Sequence, residues 1–195
     1  MVHPSFAVHS VAELIAYAKA NPGKVNFGST GIGTVGHVAG EYFAMETGIK
    51  LTHIPYKGTG PAVTDLLGGH IPLSFSPIPA VHESARSGLL RMLAVTSATR
   101  STLMPEVPTV AESGVPGFDA VLRYGLVAPA RTPRPIIDRL NRALRTTLES
   151  DEARQRLAVE GAEPLPSTPD EYAADIDHEE SLWSKVIKAS GAKVE

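Results

Sequence analysis

Short apolar runs alternate with amphipathic stretches through the first half of the sequence, and each run closes on small, polar, glycine-containing residues. Val25-Asn26-Phe27 leads into Gly28-Ser29-Thr30-Gly31-Ile32-Gly33 and then a helical stretch from about Thr34 to Thr47. Leu51 to Tyr56 leads into Lys57-Gly58-Thr59-Gly60 and a helix from Pro61 to Leu67, which Gly68-Gly69 ends. Ile71 to Phe75 precedes a helix from Pro77 to Ser87, with proline at its start, and Arg91 to Val95 reads as a further strand. Ahead of all of these, Ser10 and Glu13 form a capping box for a helix whose stripe is Val11, Leu14, Ile15 and Ala18. Parallel strands need crossovers of about a dozen residues or more, which hairpins do not. The alternation therefore predicts an α/β fold, a mostly parallel sheet with helices on its faces and right-handed connections.

Beyond Thr96 the pattern loosens. Pro105, Pro108 and Pro116 mark an irregular stretch with one short helix expected near Val110. Phe118 to Val127 is extended and mostly apolar, and Ala128-Pro129-Ala130-Arg131-Thr132-Pro133 is a breaker. Ile137, Leu140, Leu144 and Leu148 then share one helical face; Asp151 to Val159 is a second helix, and Ala162 to Leu165 a short strand. Thr168 to Ala189 is a long last helix carrying Tyr172, Ile176, Leu182, Trp183 and Val186. About the first 125 residues make a complete α/β unit, whereas the last 70 or so supply helices without a sheet.

Composition removes several classes of function. Among 195 residues there is no cysteine, so disulfides, thiolate nucleophiles and Cys-ligated metals are excluded. The net charge of −3 argues against a general nucleic-acid binder, which carries a basic stripe. No run of about 18 apolar residues exists to cross a membrane. The opening Met-Val-His-Pro-Ser-Phe-Ala-Val-His-Ser has neither the basic nor the apolar region of a signal peptide. The expectation is a cytoplasmic protein, or a mature or truncated piece of a longer one.

Gly31-Ile32-Gly33-Thr34-Val35-Gly36 matches G-x-G-x-x-G between a strand and a helix. Three readings of it stand side by side. A dinucleotide site, and with it a nucleotide-dependent enzyme, wants an acidic residue at the end of the next strand, where Ile54-Pro55-Tyr56-Lys57 offers none. A plain tight turn needs only the glycines. A small-anion site uses the free N–H groups and partial positive charge of the helix start, with hydroxyls from Ser29, Thr30 and Thr34. The turns at Tyr56-Lys57-Gly58-Thr59-Gly60 and Ser74-Phe75-Ser76-Pro77 fall on the same edge of a parallel sheet, where α/β proteins bind ligands. No catalytic motif is present: G-x-S-x-G is absent, and His178-Glu179-Glu180 reads as a solvated helix face. His37 stands in the first helical turn, where it suits an anion contact and a structural role equally; the histidines at 3, 9, 53, 70 and 82 have no ligand spacing.

Several phrases, taken in order, resemble the Bug/TctC family, the extracytoplasmic substrate-binding receptors of tripartite tricarboxylate transporters. They are Asn21-Pro22-Gly23-Lys24-Val25-Asn26-Phe27-Gly28-Ser29, Gly33 through His37-Val38-Ala39-Gly40-Glu41, and His53-Ile54-Pro55-Tyr56-Lys57-Gly58. Asp65-Leu66-Leu67-Gly68-Gly69, Leu93 to Ser97, Pro105 to Glu112, Gly125 to Ala130 and Lys188 to Val194 follow. The resemblance implies a type II periplasmic-binding-protein fold, two α/β domains closing on a small carboxylate. Residues 6–124 are then the complete ligand-binding domain, and 125–195 the returning helical part of an incomplete second one. It implies periplasmic localisation, membrane transporter subunits as partners, and no catalysis, metal or organic cofactor. Carried over, the ligand site is Ser29, Thr30, Gly31, Gly33, Thr34 and His37, with Ser76 and Pro77 lining the cleft and Tyr124 closing over the ligand. Many relatives carry an acid where Ser76 stands, so a di- or tricarboxylate or an aromatic acid is expected rather than an amino acid. Arg123 stands where relatives often carry an aromatic, and suits a cationic contact or a solvated position. The signal and the front portion of the first domain are read as absent. A remnant or interaction module without ligand binding is the alternative, and homodimers through the exposed C-terminal helices are expected.

Overall fold

The computed structural model describes residues 1–159 and 161–191; Ala192, Lys193 and Val194 of the closing family phrase lie outside the described residues. The chain divides into two compact units. One is Met1–Leu122 with the chain from Lys185 onward, and the other is Arg123–Ser184.

The first unit is built on three parallel strands, β1 (Val25–Ser29), β2 (Leu51–Pro55) and β3 (Leu73–Ser74), in the order β2-β1-β3. Val25 pairs with Leu51 and Ser29 with Pro55, while Phe27 pairs with Leu73. Central β1 is buried along nearly its whole length, as a parallel strand covered on both faces must be. Four helices connect these strands or flank them: α1 (Val11–Ala20), α2 (Val35–Thr47), α3 (Thr59–Leu67) and α4 (His82–Arg86). The capping box forms as expected. Glu13 N donates to Ser10 Oγ at 3.1 Å, and His9 N donates back to Glu13 Oε2 at 2.7 Å.

An aromatic core ties the sheet to α2. Phe27 meets Phe75 edge-on at 5.7 Å, Phe43 meets Phe118 edge-on at 6.2 Å, and Tyr42 stacks on Phe118 at 4.6 Å. Phe27, Phe43 and Phe118 are fully buried, each worth roughly 1.5–3 kcal/mol of transfer free energy. Smaller clusters around Leu66, Ile71 and Val81, and around Val95, Met104 and Val107, extend this core.

Several expected elements are shorter or absent. Arg91 to Val95 is not a continuous strand: Val2 bridges both Leu73 and Arg91 antiparallel, so Arg91 meets Val2 where a fourth parallel strand was expected, and Val95 bridges Thr109. The expected helix from Pro77 to Ser87 is split into a 3-10 turn at Ile78–Ala80 and α4. Pro79 withholds an N–H inside that turn, and Val81 departs from helical geometry with φ −129°. Residues near Val110 form turns, not a helix, and Ala162 to Leu165 is not a strand. Gly28 and Ser29 extend β1, so the loop starts at Thr30.

The second unit carries α5 (Arg134–Leu148), α6 (Asp151–Val159) and most of α7 (Pro169–Ser190). Arg134 links α5 to α7, donating to Asp170 at 2.9 Å and to Asp138 at 2.8 Å. Asn141 Nδ2 donates to the Ser167 carbonyl at 2.8 Å. Among the described residues, none of α5 is buried; Leu140 is 58% exposed. No helix among the described residues is long and apolar enough to cross a membrane.

Candidate functional site

The apolar run of β1 ends at Ser29, a fully buried residue whose hydroxyl faces inward. Ser29 Oγ lies 2.7 Å from His53 Nε2 and 3.0 Å from the Gly31 carbonyl, and accepts from Gly31 N at 3.2 Å. The loop then turns through Gly31 and Gly33. Gly33 has φ +76°, a left-handed conformation that a side chain would strain. Thr34 is the first boundary residue of α2, yet its hydroxyl donates to the Gly31 carbonyl at 2.7 Å and makes no cap to the helix. The N–H groups of the first α2 turn thus receive no cap from Thr34, and they sit at the positive end of a 13-residue helix. Thr30 is half-buried, and its carbonyl accepts Gly58 N at 3.0 Å, joining the second glycine turn to the first.

Gly36 sets how closely α2 approaches the sheet. A Cβ at this position would overlap the Phe75 carbonyl oxygen. The start of α2 therefore presses against the end of the β3 segment, which continues into Ser76. Ser76 is half-buried, with its Oγ 2.8 Å from Ser74 Oγ, and Ser74 donates to the Gly28 carbonyl at 3.0 Å. Pro77 is exposed and opens the 3-10 turn.

His37 is 4% exposed and accepts Gly33 N at Nδ1, 3.1 Å away. Its ring stacks on His53 with centroids 3.9 Å apart and planes 14° apart. His37 Nε2 lies 3.8 Å from Glu41 Oε1. Burial pushes the His37 pKa down and the Glu41 pKa up. Burial, aided by the neighbouring His37, lowers His53 to about 4. Both rings are therefore neutral at pH 7, and the loop offers hydrogen-bond donors rather than a cation. Sequence reading passed over His53. Its signal was the pairing face: it sits opposite Phe27 in the β1–β2 register, and its ring lies 4.9 Å from that of Phe27.

Ser29, Gly31, Gly33, Thr34 and His37 are thus tied into one bonded loop, Thr30 is linked to the Gly58 turn, and Ser76 joins β1 through Ser74. Tyr124 belongs to the second unit and is 83% exposed. Beside it, Arg123 pairs with Glu179, so neither Arg123 nor the Glu179 of α7 is a plain solvated charge. A separate cavity of about 410 Å³, lined by Leu90, Arg91, Met92, Met104 and Glu106, shares no residue with the loop. Its Arg91 guanidinium is engaged by the Phe6 and Val8 carbonyls. Among the described residues, no cluster of three His, Asp or Glu could hold a metal ion.

Residues 1–192 match the profile of the tripartite tricarboxylate transporter family receptor, TctC. The chain belongs to that family. BugT of Bordetella pertussis is 41% identical over 194 residues, which cover 100% of this chain and 60% of BugT. Among solved structures, the R. palustris protein Rpa4515 with adipate is 36% identical with a TM-score of 0.82, covering 98% of this chain and 64% of that one. Periplasmic binding protein BugD is 31% identical with a TM-score of 0.77, covering 100% of this chain and 66% of BugD. This TctC chain therefore spans about 60% of the length of BugT, and its α/β fold with a parallel sheet is the one these receptor structures share.

Proposed function

We propose that this chain is the carboxylate-holding part of an extracytoplasmic solute-binding receptor that delivers its ligand to membrane subunits of a tripartite tricarboxylate transporter. The observation that carries this reading is the start of α2: a helix without a side-chain cap, preceded by a loop of glycines and hydroxyls at the carboxyl end of a central parallel strand. A carboxylate there meets N–H groups that are otherwise unmatched within the helix, together with the helix dipole. Each dipole interaction contributes about 0.3–1 kcal/mol, so several donors must converge for useful affinity. No chemical step is needed, because the site positions and releases. Membership in this receptor family, and the likeness to periplasmic binding protein BugD, support an extracytoplasmic location.

The ligand class follows from Ser76. Its neutral hydroxyl is engaged by Ser74 and carries no charge to pair with an ammonium group. A di- or tricarboxylate or an aromatic acid fits better than an amino acid, and the adipate bound to Rpa4515 belongs to that class.

Titration calorimetry of this chain against adipate, citrate, benzoate and glutamate tests the proposal. Saturable binding of one or more of the first three, stronger than that of glutamate, is the expected result. A folded sample that binds none of these acids overturns it.

A further inference from the structure

A backbone anion site does not require histidines, yet two of them touch the glycine loop from different ends. At one end, Gly33 N–H donates to His37 Nδ1 at 3.1 Å. At the other, the Ser29 hydroxyl lies 2.7 Å from His53 Nε2. The two rings stack at 3.9 Å, so whatever alters one is felt by the other. A nitrogen that accepts a hydrogen bond carries no proton, so neutral His37 holds its proton on Nε2, the atom 3.8 Å from the Glu41 carboxylate.

We propose that the His37–His53 stack is a proton-operated latch on the Gly31–Thr34 loop: neutral His37 holds the Gly33 N–H inward, and protonation at Nδ1 turns that N–H outward to meet an anion. Its use in ligand capture rests on the carboxylate reading above. The chemistry is direct. A proton on Nδ1 sets two donors against each other, and a loop of glycines is the part of the site free to re-aim. The same proton brings a positive charge beneath the loop, which favours a carboxylate at its mouth. Glu41, from α2, faces Nε2 and supplies a counter-charge when ionised. From β2 the titratable neighbour is His53; from β1 come Ser29 and Phe27, which do not titrate in this range. Burial keeps both rings neutral in the free protein near pH 7, which is the latched state.

Proton uptake and carboxylate binding then assist each other. Affinity rises as pH falls, by up to about tenfold per pH unit, the limit for one linked proton.

A nuclear magnetic resonance titration of the ligand-free chain from about pH 8 to about pH 5 tests the latch, following the Gly33 amide and the His37 ring nitrogens together. The expected result is an unprotonated Nδ1 at neutral pH and a Gly33 amide that shifts with the His37 midpoint. A protonated Nδ1 at neutral pH, or a Gly33 amide that stays still while His37 titrates, overturns it. His53→Phe keeps an aromatic ring in the stack but replaces a polar neighbour with an apolar one, so it should lower the His37 midpoint. Glu41→Gln, a partly exposed site that tolerates change better, should lower it as well; unchanged midpoints in both variants count against the pair acting as a unit. Calorimetry with succinate in two buffers of different ionisation heat supplies the second readout. Net proton uptake supports the coupling, and binding without proton exchange overturns it while leaving the carboxylate reading intact. Absence of binding by succinate and the wider acid panel, at every pH, sinks the carboxylate reading, and the ligand-free titration still decides the latch.

Discussion

Two glycines on helices separate a close approach from plain chain freedom. Gly36 has no room for a Cβ, because the Phe75 carbonyl stands where it would go. Gly60, in α3, has nothing within 4 Å of the same position. Replacing Gly36 with alanine should therefore push α2 off the sheet and cost about 1–3 kcal/mol, the usual penalty of overpacking. Gly60→Ala should be neutral or stabilising by up to about 1 kcal/mol, since it removes only unfolded-state freedom. Urea unfolding of the two variants beside the parent checks this; equal effects would mean that the α2 approach is not set by Gly36. At this scale the sequence was half legible. The hydroxyls and glycines of the loop announce a polar turn, because few other residues tolerate that geometry. The partners of those hydroxyls do not announce themselves. Ser29 reads as a ligand donor, yet its buried hydroxyl bonds to His53, 24 positions further along. Such pairings depend on strand register, which no single-sequence spacing reveals.

Elements were legible where their signals are local. The α1 helix is bounded by a capping box and an Asn-Pro-Gly stop, and α6 spans Asp151–Val159, the bounds expected from the sequence. The cap of α1 is also where a local signal can be weighed. Ser10→Ala removes the acceptor for Glu13 N, and the change should cost about 0.5–2 kcal/mol, with Ser10→Asp retaining most of the stability. Thermal unfolding of both variants tests it; a serine cap that contributes nothing would leave Ser10→Ala at the parent midpoint. Elements failed to follow the sequence where a distant partner decided. Met92-Leu93-Ala94-Val95 has the composition of a strand, but Val2 takes the hydrogen bonds of Arg91, with N–O distances of 2.8 and 2.9 Å. Pattern alone gives strand propensity without saying which edge is already occupied.

For the whole molecule, the decisive feature is how the chain leaves the first unit and comes back. Residues 121–129 have no regular structure, and Leu126 and Val127 are 75% and 81% exposed. Arg131 follows in an exposed turn, with Thr132 after it. From Lys185 onward the chain belongs again to the first unit, where Val186 is buried to 1% exposure. Exposed segments of this kind are the preferred sites of nicking, because a protease must draw an extended stretch of backbone into its cleft. Limited trypsin digestion should therefore cut first after Arg131 and give fragments 1–131 and 132–195 on a denaturing gel. Under native conditions the two fragments should still migrate together, because the last turns of α7 are part of the first unit's packing. A first cut within 1–122 would mean that the α/β unit opens more readily than the connecting segment. Separation of the nicked fragments under native conditions would mean that burial of Val186 does not hold α7 in place.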